Sequence, residues 1–341
     1  MTEQASTENP TRWLITGGCG FLGTRLIQSL QEQGGHAIRV LDNLSVGTRE
    51  DLAQVTDFKE TTPQSLNSSP DAAELVVGDI LDAELALAVA RDRDVIVHFA
   101  ANTGVPNSVE NPRMDCEANV LGTFNYLEAA RHNRVRRFVF ASSGAPAGIV
   151  EPPIHEELPA HPVSPYGASK LAGEGYCSAY YHCYGVETVT LRFGNVYGPG
   201  SKHKSSVVAK FIRQALDGET CEIYGDGSQT RDFIYIDDLI DAVIKAANTP
   251  GIGGEVFQIA TSRESTVAEV AKMIQKELEK TRSVSMEIVH SEPRQGDVSR
   301  NFSDTRKART MLGWNASTDL PQGIAKTLTY FLKSANSTLH P

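Results

Sequence analysis

Short apolar runs alternate with longer amphipathic stretches through the first half of the chain. Residues 12–16 (RWLIT), 37–42 (AIRVLD), 74–79 (ELVVGD), 94–100 (DVIVHFA), 137–142 (RFVFAS) and 187–193 (ETVTLRF) have the length and Val/Ile/Leu content of buried strands. Segments 20–33, 81–92, 113–132 and 166–184 carry helical patterns between them. Continuous apolar strands separated by helices predict a doubly wound α/β fold, with a parallel sheet covered on both faces. The polar, Pro/Ser-rich stretch 60–73 reads as a surface loop.

The rhythm loosens after about residue 194. GNVYGPGSKHK is loop-like, 205–217 is helical, QTRDFIYIDDLIDAVIKAA gives a strand then a helix, GEVFQIA a strand, and 266–280 a helix. The expected organisation is one larger domain, 10–193 plus about 230–262. A smaller interleaved α/β lobe takes 194–229 plus 263–335, and 1–9 forms a disordered leader.

Composition narrows the picture. Of the 341 residues 40% are hydrophobic and 22% charged, as in an ordinary soluble protein. A net charge of −10 argues against a general nucleic-acid binder. No apolar run is long enough for a membrane span, and the polar, acid-containing N-terminus is no signal or transit peptide. Five scattered cysteines suit a reducing cytosol. Cys177, His182 and Cys183 crowd together without metal-ligand spacing and read as buried helix residues, so no metal is expected.

The chemistry begins at TGGCGFLG, set between a strand and a helix. Gly18-x-Gly20-x-x-Gly23 and Gly17-x-x-Gly20-x-x-Gly23 both fit a dinucleotide-binding turn. Glycine lets the backbone turn tightly against a pyrophosphate at the helix N-terminus, which marks the fold as Rossmann-type. The next strand ends in Asp42, which can accept bonds from both ribose hydroxyls and repels a 2′-phosphate. Asn43 follows, with no adjacent arginine, so NAD is expected over NADP. Asp79 stands where an adenine amino group would be read, and Ala100 and Ala101 are small where bulk would block the cofactor.

A second constellation lies in SPYGASK. Pro165 favours a helix start, so Tyr166 and Lys170 share a helical face four residues apart. Tyrosine's ordinary pKa of about 10 makes it a poor base, but a nearby ammonium favours the phenolate. Tyr166 can then accept a proton from a substrate alcohol, while Lys170 also holds the nicotinamide ribose. Taken alone the pair would be a surface contact; the upstream glycine turn makes it catalytic. Ser143, at a strand's C-terminal end, can bridge substrate oxygen and phenolate, and Ser142 points elsewhere.

Together TGGCGFLG, DNLS, GDI, HFAA, NVLGT, SS, YGASK, RFGNVYGPG, GDGSQTRDFIYIDD and RQGDV resemble the extended short-chain dehydrogenase/reductase family over about residues 12–330. Within it they resemble nucleotide-sugar epimerases and dehydratases, UDP-hexose 4-epimerases most of all. The resemblance implies that Gly17, Gly20, Phe21, Leu22, Gly23, Asp42, Asn43, Asp79, Ile80, Ala100 and Ala101 hold NAD, with Asn119 supporting the site. It implies a catalytic Ser143, Tyr166 and Lys170. Thr103 and Ser143 would face the sugar, Asn195, Arg231 and Arg294 the nucleotide diphosphate, and Asp297 would reach the nucleotide ribose or orient Arg294. Forked arginine bonds to phosphate agree with that role. A homodimer through helices 113–132 and 166–184 is also implied.

Related enzymes oxidise the sugar at C4. Dehydratases and decarboxylases of the family then need an acid beside the strand-end hydroxyl, where this chain has Gly144 and Ala145. Simple hydride return remains, and rotation of the keto sugar beforehand inverts C4. The expected activity is therefore NAD-dependent 4-epimerisation of a UDP-hexose. Ala147, in place of the family's aromatic residue, and Asn301, in place of a tyrosine, would leave room for a UDP-N-acetylhexosamine or UDP-uronic acid. The alternatives are a dehydratase or decarboxylase drawing on Glu151, Glu156 or Glu157, and a non-catalytic NAD-sensing protein on the same fold.

Overall fold

The computed structural model describes residues 10–68, 72–202, 204, 206–282, 286–292 and 298–337. The apolar runs of the first half become β1 (Thr11–Thr16), β2 (His36–Asp42), β3 (Phe58–Glu60), β4 (Ala73–Val77), β5 (Val95–His98), β6 (Arg137–Ser143) and β7 (Thr188–Phe193). Among them run α1 (Phe21–Gln33), α2 (Arg49–Ala53), α3 (Ala83–Val89), α4 (Val105–Glu110), α5 (Pro112–Cys116), α6 (Gly122–Asn133) and α7 (Pro165–Tyr184). The later strands are β8 (Asn195–Tyr197), β9 (Cys221–Tyr224), β10 (Thr230–Arg231), β11 (Phe233–Tyr235), β12 (Val256–Ile259), β13 (Ser265–Thr266) and β14 (Ile288–Ser291). The later helices are α8 (Val207–Leu216), α9 (Ile236–Asn248), α10 (Val267–Arg282), α11 (Arg306–Leu312) and α12 (Leu320–Ser337).

Eight strands form the main sheet in the order β3-β4-β2-β1-β5-β6-β7-β12, and the pairs with assigned register are parallel. The expected α/β architecture is present. The chain leaves β1 towards one edge and returns at β5 to build towards the other. That reversal places the ligand-binding crevice at the C-terminal ends of β1 and β5.

Contacts divide the chain into two compact units. One comprises residues up to 141 with 172–189 and 253–255; the other comprises 142–171, 190–252 and 256 onward. In the first, Leu14, Leu41, Ile96, Phe138 and Phe140 of the strands bury against Tyr126, Leu127 and Ala130 of α6 and Cys177 and Tyr180 of α7. Each buried Leu, Ile or Phe among them contributes roughly 1.5–3 kcal/mol. The buried Arg39 is tolerated because Glu74 (2.9 Å) and the carbonyls of Asn67, Val89 and Arg91 satisfy its guanidinium. In the second unit, α9 buries Leu239, Ile240 and Val243, and Trp314 Nε1 donates to the Asp238 carbonyl at 2.8 Å.

Three differences from the sequence reading have local causes. The loop expected at 60–73 is flanked by the short strand β3, whose residues lack an apolar alternation, and contains a 3-10 turn at Pro63–Ser65. The helix expected at 113–132 is α5 and α6 joined by a π-helical turn, Glu117–Leu121. Cys177 is buried on α7 as expected, but His182 and Cys183, near the helix end, are exposed. The leader at 1–9 lies outside the described residues.

Candidate functional site

In the first unit, Thr16 ends β1 and Gly17 turns away with φ +69°. A Cβ on Gly17 would stand 2.8 Å from Ala100 N, and one on Gly23 would stand 2.4 Å from Gly17 O and Gly18 Cα. Both glycines are therefore required by backbone approach alone. Gly20 caps α1 with no side chain, and the first turn of α1, starting at Phe21 and Leu22, holds no acid. The N–H groups of a helix's first turn point out of the helix and suit an anion.

Asp42 ends β2, buried, with both carboxylate oxygens anchored. Oδ2 accepts from Cys19 N at 2.9 Å and Oδ1 from Leu44 N at 2.8 Å. Each oxygen keeps acceptor capacity for a ribose hydroxyl. Burial raises the Asp42 pKa, and the two backbone donors oppose it. The neighbouring Cys19 thiol is buried and pushed up to about 12, chiefly by desolvation. Asn43 Nδ2 donates to Asp79 Oδ2 at 3.1 Å, and Asp79 Oδ1 accepts from Leu81 N at 2.9 Å. Ile80 is buried beside them, and Asn125 of α6 donates to its carbonyl at 3.0 Å. The cradle of acid-free helix N-terminus, close glycines and strand-end carboxylate fits a dinucleotide.

The segment after β5 is fixed by side chains. Thr16 Oγ1 accepts from Ala100 N at 3.2 Å, while lying 2.9 Å from His98 Nδ1. Asn119, inside the π-helical turn, accepts from Asn102 N at 2.8 Å and donates to Asn102 O at 2.9 Å. Ala100 and Ala101 are half-buried and Thr103 is exposed.

In the second unit, Ser143 ends β6 half-buried while Ser142 is buried, as strand alternation requires. Ser143 Oγ accepts from Ala145 N at 3.2 Å, and the chain then makes one 3-10 turn, Ala145–Ala147. Ser164 Oγ accepts from Gly167 N at 3.1 Å and caps the start of α7. A Cβ on Gly167 would stand 2.7 Å from Ala145 O, so the first turn of α7 rests on the loop that follows Ser143. Tyr166 is half-buried, whereas Lys170 is only 3% exposed, with Nζ 6.0 Å from the Tyr166 ring centre. The three catalytic candidates thus lie on one loop–helix junction.

Of the remaining candidates, Asn195 lies on β8 and Arg231 on β10. Asn195 N donates to Asp232 O at 2.8 Å, and Asn195 pairs in register with Phe233. Arg231 Nη1 donates to the carbonyls of Thr230 and Val298 at 2.6 and 2.7 Å. The buried Asp232 accepts from Thr261 N, Ser262 N and Ser303 N, which fixes this corner. Its pKa is raised by burial against those bonds. Arg294 and Asp297 lie outside the described residues. Among the described residues no cluster could hold a metal ion, and no helix is long and apolar enough to cross a membrane.

One expectation changes. Ala147 is 1% exposed, and Gly148 beside it (φ +70°) bridges His161, so the small side chain at 147 opens no pocket volume. The open space lies at Gly144, where a Cβ would meet nothing within 4 Å. The sequence reading also missed an ionic network, Arg300 with Glu264 and Glu151, each at 2.9 Å. It missed Asp115, whose only sequence signal is its place four residues before Asn119.

A family model described as the NAD dependent epimerase/dehydratase family matches residues 13–260. The chain is 37% identical over 325 residues to the UDP-glucose 4-epimerase of Mycolicibacterium smegmatis, covering 94% of this chain and 98% of that one. It is similar to the structure of the UDP-glucose 4-epimerase of Thermotoga maritima with UDP-glucose, at 32% identity and TM-score 0.83, covering 95% of this chain and 100% of that one. It is likewise similar to the Thermus thermophilus UDP-glucose 4-epimerase complex with NAD, at 32% identity and TM-score 0.82, covering 94% and 99%. A strand-end carboxylate, a glycine turn that no side chain can enter and a match across most of the chain converge, and the protein belongs to the NAD dependent epimerase/dehydratase family.

Proposed function

We propose that the protein is a 4-epimerase of a UDP-linked hexose, with pocket room for an N-acetylated or uronic relative where Asn301 replaces a larger residue. The observation that carries this reading is the acid-free run Ser143-Gly144-Ala145 beside Tyr166 and Lys170. Elimination or decarboxylation requires a proton donor or acceptor there. The nearby acids have other duties or face water: Glu156 accepts from Gln258 N at 2.7 Å, Glu151 pairs with Arg300, and Glu157 is exposed.

When bound, NAD supplies a reversible hydride acceptor. Gly17, Gly20, Gly23, Asp42, Asn43, Asp79, Ile80, Ala100 and Ala101 would hold it, Phe21 and Leu22 at the start of α1 offering backbone N–H groups to its pyrophosphate and Asp42 accepting from its ribose. Tyr166 takes the proton of the C4 hydroxyl while Ser143 holds the same oxygen. The Lys170 ammonium favours the phenolate and would bind the cofactor ribose. Asn195, Arg231, Arg294 and Asp297 grip the nucleotide, so the keto sugar turns while the diphosphate stays fixed. Tyr166 then returns the proton to the inverted alcohol.

Exposed Leu121, Tyr176 and Tyr184 on the α6 and α7 side support a homodimer. Five cysteines, none of them in a disulfide, suit a cytosolic setting. Incubation with a panel of UDP-sugars and NMR of the products tests the assignment. C4 inversion without mass change is the expected result, whereas loss of water or carbon dioxide contradicts it.

A further inference from the structure

We infer that Asp115 is a positioning residue for the cofactor cradle, acting through Asn119. Asp115 is 1% exposed, and its Oδ1 accepts from Asn119 Nδ2 at 2.9 Å. The same amide nitrogen donates to Asn102 O at 2.9 Å, and Asn119 Oδ1 accepts from Asn102 N at 2.8 Å. A carboxylate only accepts, so Asp115 forces the nitrogen of Asn119 towards itself and leaves the oxygen for Asn102 N–H. In the flipped amide, Asn119 would set its oxygen against two acceptors. Asp115 thus reinforces the one amide orientation that the N–H and C=O of Asn102 also select.

The segment it secures matters because it lies past His98, the last residue of β5 in register with a neighbouring strand. Ala100 N is tied to Thr16 Oγ1 and Asn102 to Asn119, and Ala100 to Thr103 lie between and beside these ties. The π-helical turn of Glu117–Leu121 belongs to the same device: Thr123 Oγ1 donates to Asn119 O at 2.7 Å across it. Such single-turn bulges are frequent at functional sites. Asp115 therefore does more than favour a helix start. The inference rests on the reading that Ala100 and Ala101 meet NAD.

The test separates geometry from cofactor binding. In the NAD-bound protein, Asp115→Ala is expected to raise amide hydrogen exchange at Asn102 and to speed NAD release, each by about tenfold, the scale of one lost charged hydrogen bond. Asp115→Asn keeps an acceptor and is expected to rescue both. Unchanged exchange at Asn102 overturns the inference, whatever the activity; raised exchange with unchanged NAD release removes the cofactor role. Where Asp115→Ala does not fold, the isosteric pair decides. Asn119→Asp sets two carboxylates together and loosens NAD, and adding Asp115→Asn is expected to recover part of the loss. No recovery overturns the coupling.

Discussion

Gly17 and Gly23 of the nucleotide turn and Gly144 of the catalytic loop are the same residue type, and they differ in structure. At Gly17 and Gly23 an added methyl would meet backbone atoms at 2.8 and 2.4 Å, whereas at Gly144 it would meet nothing within 4 Å. The first set is compelled by packing and speaks of how closely a ligand and a helix must approach. Gly144 is compelled by nothing in the chain around it. A side chain fits there, so the absence of a carboxylate is a statement about chemistry rather than space.

The sharpest way to break that contrast lies at the neighbouring tyrosine. Tyr166→Phe removes the proton acceptor and is expected to lower kcat by about 10²- to 10⁴-fold, with the melting temperature unchanged. Steady-state rates with a calorimetric control check it; unchanged turnover would end the catalytic reading. Next comes Gly23→Ala, which drives a methyl into Gly17 and Gly18 and is expected to cost about 3 kcal/mol in urea unfolding.

Asp42→Asn is expected to weaken NAD binding by about tenfold, because one acceptor is lost and the backbone donors of Cys19 and Leu44 compete for the other. The sign with pH follows from burial. The raised Asp42 pKa means protonation sets in earlier than for an ordinary aspartate as pH falls, so NAD affinity drops at a higher pH. In the absence of cofactor the same shift works the other way. Asp42 favours the folded state most below its unfolded pKa, and that contribution is lost as pH rises through the folded one. Titration of NAD affinity against pH, with Asp42→Asn giving a flat profile over that range, distinguishes the two. The smallest effect belongs to Gly144→Ala, expected to stay within about 0.5 kcal/mol of the parent. A loss like that at Gly23 would erase the distinction between the two regions.

Much of this was legible in the chain because period and chemistry coincide. Strand runs ending in Thr16, Asp42 and Ser143 declare both the sheet and the edge where ligands bind. Short elements such as β3 and α2 were not legible, since three to five residues carry no reliable period. The π-helical turn was hidden inside an unbroken helical pattern. Asp115 looked like any helix acid, because its role depends on a bond to Asn119 that only the fold creates. Ala147 was misjudged for a related reason: a small side chain signals free volume only where it faces a pocket, and Ala147 faces packed protein.

The central claim is that one hydride leaves C4 and returns to the same carbon on its other face. Incubation with UDP-glucose deuterated at C4, in ordinary water, tests it most directly. The account predicts C4-inverted product with deuterium fully retained at C4 and no net reduction of NAD. Loss of the label to solvent, or label appearing at C6 with release of water, would contradict it.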